Sequence, residues 1–282
     1  MAPHLRLSAT RRQAHRQGRQ IDYPAELEAY FLDELHARLS IVKRTFNTIL
    51  YQGPPLRKLI AYLERLGAVD VLMNGGDLRH LPSSWTACFD DILPIHPGSY
   101  DLVVSVMHMH GVPKWDELLF QYQAALREDG LFLGVFPGQE TLQEIKQAAF
   151  ETDAQIFEGA HARVIPFVSA AHFAQMMQQS GFILPVIDVD HRKIHYPDLA
   201  CFWQDIKSMA EQSFVQKDGG QKGLMPKRFA VVLEDVWQKR FKGEVTLDLL
   251  WGQGWVPGEL KTKQLRPGQG LTSLKEVLEQ KD

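Results

Sequence analysis

The sequence predicts an α/β protein built on a doubly wound, mostly parallel sheet, and three observations carry that prediction. Asp101 to Met107, DLVVSVM, is a short apolar, β-branched run between Pro97-Gly98-Ser99 and two histidines. It is too short for a core helix and lacks alternation, as expected of a strand buried on both faces. Trp115 to Arg127 then places Leu118, Leu119, Tyr122, Ala125 and Leu126 at helical spacing, and Leu131 to Phe136 is a second buried run. Strand, helix and strand in that order form a βαβ unit, parallel and right-handed. Glu128-Asp129-Gly130 should stop the helix, with Gly130 as its left-handed cap.

The alternation extends to both sides of this unit. Tyr23 to Thr45 reads as a helix or helix pair, Phe46 to Tyr51 as a strand broken by Gly53-Pro54-Pro55, and Leu56 to Leu66 as an amphipathic helix. Val69 to Met73 is a strand ended by Asn74-Gly75-Gly76, and Trp85 to Pro94 is irregular. After the central unit, Gln139 to Phe150 is helical and a looser segment runs to Phe167. Ser169 to Ser180 is a helix with Ser169 as cap and Gly181 as stop, and Phe182 to Val189 is a strand. Leu199 to Phe214 and Arg228 to Phe241 are helices separated by a flexible loop at Lys217–Gly223, and Val245 to Trp251 is the last strand. This gives a basic arm over 1–22, one domain over 23–257 with a helical insertion at about 195–243, and a tail over 258–282.

Composition narrows the function classes. With 282 residues, 45% hydrophobic and 23% charged at net charge −3, the chain can bury a sizeable core and has no global bias toward nucleic acid. Past Arg19 the basic residues are dispersed, which argues against a nucleic-acid surface. The two cysteines, Cys88 and Cys201, form neither a CxxC pair nor a disulfide framework, so a reducing compartment is expected and no metal site is. No apolar run reaches the roughly 18 residues of a bilayer span. The arm holds five arginines before its first acid, Asp22, which fits a solvated basic arm or a mitochondrial presequence.

In parallel sheets ligands sit beyond the carboxyl ends of the strands, here His108–Gly111 and Pro137–Thr141. His108 and His110 are two residues apart, so a persisting strand would point them to opposite faces and deny a metal pair. Glu140 and Glu144 lie one helical turn apart; they suit either a cationic target such as a guanidinium or a helix dipole. Asp188 and Asp190 share one face of a strand end, a costly pairing unless a cation or solvent meets them. Asp205 and Tyr196 are weaker candidates nearby. Trp203, Trp251 and Trp255 read as packing.

Read together, Tyr100-Asp101-Leu-Val-Val-Ser, Met109-His110 and Leu126 to Gly134 resemble the fourth and fifth strands of class I S-adenosylmethionine-dependent methyltransferases. Gly138-Gln-Glu140-Thr141-Leu142-Gln-Glu144, Pro166, Gly181-Phe182, Asp188-Val-Asp190, Tyr196 and Gly254-Trp255 narrow the resemblance. They resemble the branch of the methyltransferase-like assembly factor of respiratory complex I, an arginine hydroxylase, and its bacterial relatives. The malonyl-carrier-protein methyltransferases are more distant cousins.

The resemblance covers about Tyr23 to Gly268. It implies a seven-stranded sheet with an antiparallel last strand, S-adenosylmethionine as cofactor, a protein partner such as a respiratory-complex subunit, and a bacterial cytoplasm or mitochondrial matrix as compartment. It would place the cofactor over Gly53 and beside Asn74, Asp90 and His110, and an arginine substrate against Glu140, Glu144, Asp188 and Asp190.

The cofactor half departs from the family pattern. Where a strand-ending acid and three spaced glycines are expected, this chain has Tyr51, then Gly53, Pro55 and Arg57. Asn74 stands for the ribose-binding acid, and Phe89, with Asp90 one residue off, for the adenine-contacting one. Each lost charge-assisted bond costs about 1.5–3 kcal/mol, enough in sum to remove micromolar affinity. Three readings are therefore carried forward: an enzyme acting on a protein arginine, a non-catalytic relative that binds or assembles a partner, and a small-molecule or carrier-protein methyltransferase.

Overall fold

The computed structural model describes residues 21–73, 82, 84–88, 92–157, 159, 161–213 and 226–258. In chain order these form α1 (Ala25–Ser40), β1 (Thr48–Gly53), α2 (Arg57–Glu64), β2 (Ala68–Met73), β3 (Trp85–Ala87), β4 (Tyr100–Val106), a 3₁₀ turn (Met109–Gly111), α3 (Trp115–Ala125) and β5 (Leu126–Pro137). There follow α4 (Gln143–Ile156), α5 (Ala170–Gln179), β6 (Ile183–His195), α6 (Leu199–Ser208), α7 (Lys227–Phe241) and β7 (Glu244–Trp255). The strands make a seven-stranded sheet in the order β3-β2-β1-β4-β5-β7-β6. β1 pairs in parallel with β2 and β4, and β4 with β5, while β7 runs antiparallel between β5 and β6. This is the Rossmann-like methyltransferase architecture that the resemblance implies. The arm before residue 21, the loop at 217–223 and the tail after Gly258 lie outside the described residues.

Strand alternation explains the layers. Ile49, Tyr51, Val71, Val104, Val106, Leu133 and Trp251 face one side and pack under α1 and α2 through Phe31, Leu35, Leu59 and Leu63. Leu50, Leu72, Val103, Phe132, Phe136 and Leu250 face the other and meet α3 and α5 through Leu119, Tyr122, Phe173 and Met177. A third cluster joins α4 to the inserted helices α6 and α7 around Trp237, Phe202, Phe229 and Ile145.

Four local expectations are corrected. The irregular stretch at Trp85 contains β3, a three-residue edge strand paired with β2. The residue that turns left-handed after α3 is Asp129, at φ 57°, rather than Gly130. Asp tolerates that region better than most residues, Arg44 donates to the Asp129 carbonyl, and Gly130 stays extended with its carbonyl accepting from Val256 N at 2.9 Å. α4 begins at Gln143 rather than Gln139, because residues 138–142 are stapled to β7. Gly138 N and the Thr141 hydroxyl both donate to the Asp248 carbonyl, and Leu142 N to that of Thr246. β6 runs on to His195, carried by its ladder with β7.

Asp101, at the start of β4, ties three strands together. Its carboxylate accepts from Asn47 N at 2.9 Å, Thr48 N at 3.0 Å and Arg127 Nη1 at 3.0 Å. Burial pushes its pKa up, but the two backbone donors and the guanidinium outweigh that and hold it below the ordinary value. A depressed folded pKa stabilises above the unfolded pKa of about 3.9 and loses that contribution as pH falls through the lower folded value. Acid unfolding followed by circular dichroism should therefore show stability dropping below about pH 4, and Asp101→Asn should flatten that drop while lowering the neutral-pH plateau.

Candidate functional site

The carboxyl ends of β4 and β5 open into a cavity of about 140 Å³. Met107 and His110 reach it from beyond β4, Pro137, Thr141 and Leu142 from beyond β5, and Ile145 from α4. The 163–167 segment, α6 and the turn that follows α6 complete the wall, with Leu27 of α1 and Leu247 of β7. The two strand ends that the sequence singles out thus border one space.

The chain is bent sharply to build it. Among the described residues six non-glycine residues have positive φ, and three of them serve this cavity: Met107 at 46°, Leu142 at 58° and Ala210 at 56°. Met107 turns the chain off β4 into the 3₁₀ turn that carries His110, so the strand does not persist through the histidines. Ala210 closes α6 in a Schellman arrangement, with Ala210 N donating to Lys207 O at 3.1 Å and Glu211 N to Ile206 O at 2.9 Å. That position normally favours glycine, and strained backbone of this kind concentrates at functional sites.

The bend brings Glu211 to His110. His110 Nε2 lies 2.8 Å from Glu211 Oε2, and the Tyr23 hydroxyl donates to Glu211 Oε1 at 2.6 Å. Asp22 N, donating to Ser208 O at 2.9 Å, fixes the chain before α1 against the end of α6. His110 and the Glu211 carboxylate are nearly buried, at 3% and 8% exposure. A carboxylate accepting at Nε2 leaves Nδ1 of a neutral ring as a lone-pair acceptor, and His110 Nδ1 has no partner among the described residues.

Two further groups hold the wall. Asp153, fully buried on α4, receives Arg163 Nε at 3.1 and 3.0 Å on its two oxygens and His161 N at 3.1 Å. The Arg163 guanidinium also lies 4.0 Å over the ring of Phe229. A Cβ at Gly138 would stand 1.9 Å from Leu250 Cδ1 and 2.6 Å from Asp248 Oδ2, so those side chains would have to shift to admit one.

The cofactor cradle is a different matter. Gly53 ends β1 where the resemblance places the methionine part of the cofactor. A Cβ at Gly53 would meet the Val106 carbonyl at 2.5 Å and the Tyr51 hydroxyl at 2.9 Å. Tyr51 is fully buried, its hydroxyl donates to Pro54 O at 2.7 Å, and burial pushes its pKa well above the ordinary value. Tyr51 in the acid's place offers no carboxylate for the cofactor's ammonium, and its hydroxyl, 2.9 Å from where a Cβ at Gly53 would stand, is engaged by Pro54 O. Asn74 and Asp90 lie outside the described residues. Among the described residues, His110 is the expected cofactor contact that lines the cavity.

The four substrate-side acids are not gathered at one point. Glu144 is buried, accepting from Thr246 N at 2.8 Å and from its hydroxyl at 2.6 Å, so it joins α4 to β7. Glu140 precedes α4 instead of sharing a turn with Glu144, and it borders an outer groove with Lys146 and Arg240. Asp188 and Asp190 do share a face of β6, the one that side chains of α1 reach. Arg38 Nη2 is 3.1 Å from Asp188 and lies over the Trp251 ring, while Arg192 Nε donates to Asp190 at 2.8 Å and stacks on Tyr30. Desolvation pushes the Tyr30 hydroxyl up to about 12. Asp190 is held below its ordinary value because Tyr30 and Arg192 outweigh its burial. Tyr196 and Asp205 pair with each other at 3.0 Å beside α6. Glu144→Ala should cost about 2–3 kcal/mol in urea unfolding, because Thr246 loses both acceptors inside the protein.

Sequence reasoning missed Glu211, Tyr23, Asp153 and Arg163. The sequence carried no signal for Glu211, because the helix expected over Leu199 to Phe214 includes it, whereas the helix ends at Ser208.

No protein-family model matches the chain. Among curated proteins, the arginine-hydroxylase NDUFAF5 of zebrafish mitochondria is 22% identical over 267 residues, 88% of this chain and 82% of that protein. The human protein of the same name is 22% identical over 215 residues, 74% of this chain but 61% of its own length. The malonyl-[acyl-carrier protein] O-methyltransferase of Laribacter hongkongensis is 26% identical over 208 residues, 72% of this chain and 67% of that enzyme. Among solved structures, a candidate methyltransferase from Bacillus halodurans superposes with TM-score 0.51 at 11% identity, covering 80% of this chain and 98% of its own. YcgJ from Bacillus subtilis gives 0.52 at 11%, covering 81% and 99%. The chain is methyltransferase-like, related in sequence to both groups of curated proteins, and at these identities the solved structures speak for the fold. Among the described residues no helix is long and apolar enough to cross a membrane.

Proposed function

We propose that this methyltransferase-like relative of the arginine-hydroxylases and malonyl-carrier-protein methyltransferases has a closed cofactor seat and acts by binding a protein partner through its substrate half. The observation that carries the reading is Tyr51 beside Gly53: it puts a buried phenol where the family has an acid, with its hydroxyl 2.9 Å from where a Cβ at Gly53 would stand. The names of the arginine-hydroxylase relatives support an arginine side chain as the target and a mitochondrial setting; a respiratory-complex subunit as its bearer, and the matrix or a bacterial cytoplasm as compartment, follow from the family resemblance. Asp188 supports the arginine, since its carboxylate is 61% exposed and already engages one guanidinium, that of Arg38. In this role the protein is an assembly or binding factor rather than a methyl donor.

Calorimetric titration of the full chain with S-adenosylmethionine and S-adenosylhomocysteine tests the reading. No binding is expected up to millimolar ligand. Binding tighter than about 100 μM, roughly −5.5 kcal/mol, overturns it.

A second reading, an enzyme acting on the partner's arginine, is favoured by the His110–Glu211 pair beside the partly open cavity at the ends of β4 and β5. There His110 Nδ1 would be the proton acceptor and Glu211 would hold the ring's tautomer. Small-molecule or carrier-protein methylation, named in the malonyl relatives, draws its support from the apolar lining, but the closed cradle counts against it.

A further inference from the structure

The cavity at the ends of β4 and β5 has the size and chemistry of a specific small group. Its volume of about 140 Å³ is close to that of an engineered apolar cavity, about 150 Å³, that takes up benzene. Its aromatic wall is formed by Phe167, Phe202 and Trp203. Arg163, its cation, is held by the buried Asp153. Glu211, the acid that lines it among the described residues, has both oxygens engaged, by Tyr23 and His110. Among the described residues a charged guest would therefore meet an arginine and an acid that are already engaged, and it would lose its hydration on entry. Two buried acceptors, His110 Nδ1 and Gln212 Oε1, have no donor among the described residues. Buried acceptors without a donor are uncommon, and both residues border this cavity.

We infer that the cavity binds a phenol, its ring among Phe167, Phe202 and Trp203 and its hydroxyl donating to His110 Nδ1 or Gln212 Oε1. A hydroxyl both donates and accepts, so it suits either orientation of the Gln212 amide. An aromatic ring brings a large apolar area with few rotors and packs edge-to-face against other rings. A phenol can come from a free small molecule or from a tyrosyl side chain. The inference goes beyond the proposed function and does not depend on it.

The test is fluorine NMR of the full chain with 4-fluorophenol and fluorobenzene. 4-Fluorophenol should bind, and fluorobenzene about tenfold more weakly, the worth of one well-made hydrogen bond. Ile206→Trp, which fills the cavity from the half-buried side of α6, should abolish binding of both while the chain stays folded by circular dichroism. Gln212→Leu or His110→Phe, whichever removes the acceptor in use, should bring the two affinities to within about threefold of each other, and a tenfold preference kept by both variants overturns the inference. Competition then identifies the source. Displacement of 4-fluorophenol by N-acetyl-tyrosinamide at similar concentration assigns the phenol to a polypeptide, and failure to displace it assigns a free phenol. Equal affinity for the two probes, no binding of either, or full binding retained by a folded Ile206→Trp overturns the inference. A positive phenol result alongside S-adenosylmethionine binding would overturn the closed-seat reading and leave this one standing.

Discussion

Tyr51→Ala is expected to lower folding stability by about 3–5 kcal/mol, the range for deleting a fully buried aromatic side chain. Tyr51 has no exposed surface and lies in the cluster that binds the sheet to α1 and α2. Removing its ring leaves a hole bounded by β-sheet backbone, which cannot collapse into it without disturbing the β1–β4 ladder. Tyr51→Phe removes only the hydroxyl that donates to Pro54 O, so it should cost about 1 kcal/mol and leave the shape over Gly53 almost unchanged. Urea unfolding separates the two. A loss below about 1 kcal/mol for Tyr51→Ala would show that the ring is not the packing element placed over Gly53, and the closed-seat reading would lose its support.

Asp153→Ala is expected to cost about 3 kcal/mol or more, because it leaves the Arg163 guanidinium without its carboxylate in a largely buried position. Arg163 is 15% exposed and keeps its stacking on Phe229, which allows partial rehydration and sets the cost near the lower end of the usual 3–5 kcal/mol. The loss should be paired with looser packing of Val164 and Ile165, which follow Arg163 and line the cavity. Hydrogen exchange at these two amides should rise in the variant by more than at β1. Uniform exchange across the fold, or a stability change under about 1 kcal/mol, would remove Asp153 from its role as the anchor of that wall.

Much of the architecture was legible in the chain because its signals are local. Short β-branched apolar runs and helical spacing, Ser169 before α5 and Gly181 after it all act within a few residues, and each element they mark is present. Ser169 accepts from His172 N and Gly181 takes φ 91°. The errors fall where a distant partner overrides a local preference. Gln139 to Leu142 has helical spacing but is captured by β7, more than a hundred residues later, through Asp248 and Thr246. Asp129 takes the left-handed turn expected of Gly130 because Arg44 and Val256 hold the flanking carbonyls.

By itself the sequence determined the order and kind of the elements, the strand ends where a site would form, and the departure from the family pattern at Tyr51, because these depend on neighbours along the chain. Only the tertiary structure decided what the polar residues do. Asp188 and Asp190, read as a substrate edge, meet Arg38, Tyr30 and Arg192, which helix α1 and the next turn of the strand lay across them. Glu144 is drawn to Thr246. His110 acquires Glu211, 101 residues away, and with it a cavity that no spacing announces. The physical reason is that the charge and hydrogen-bonding capacity of a side chain are satisfied by whatever the fold brings within about 3 Å, and that choice is not written in the residues beside it.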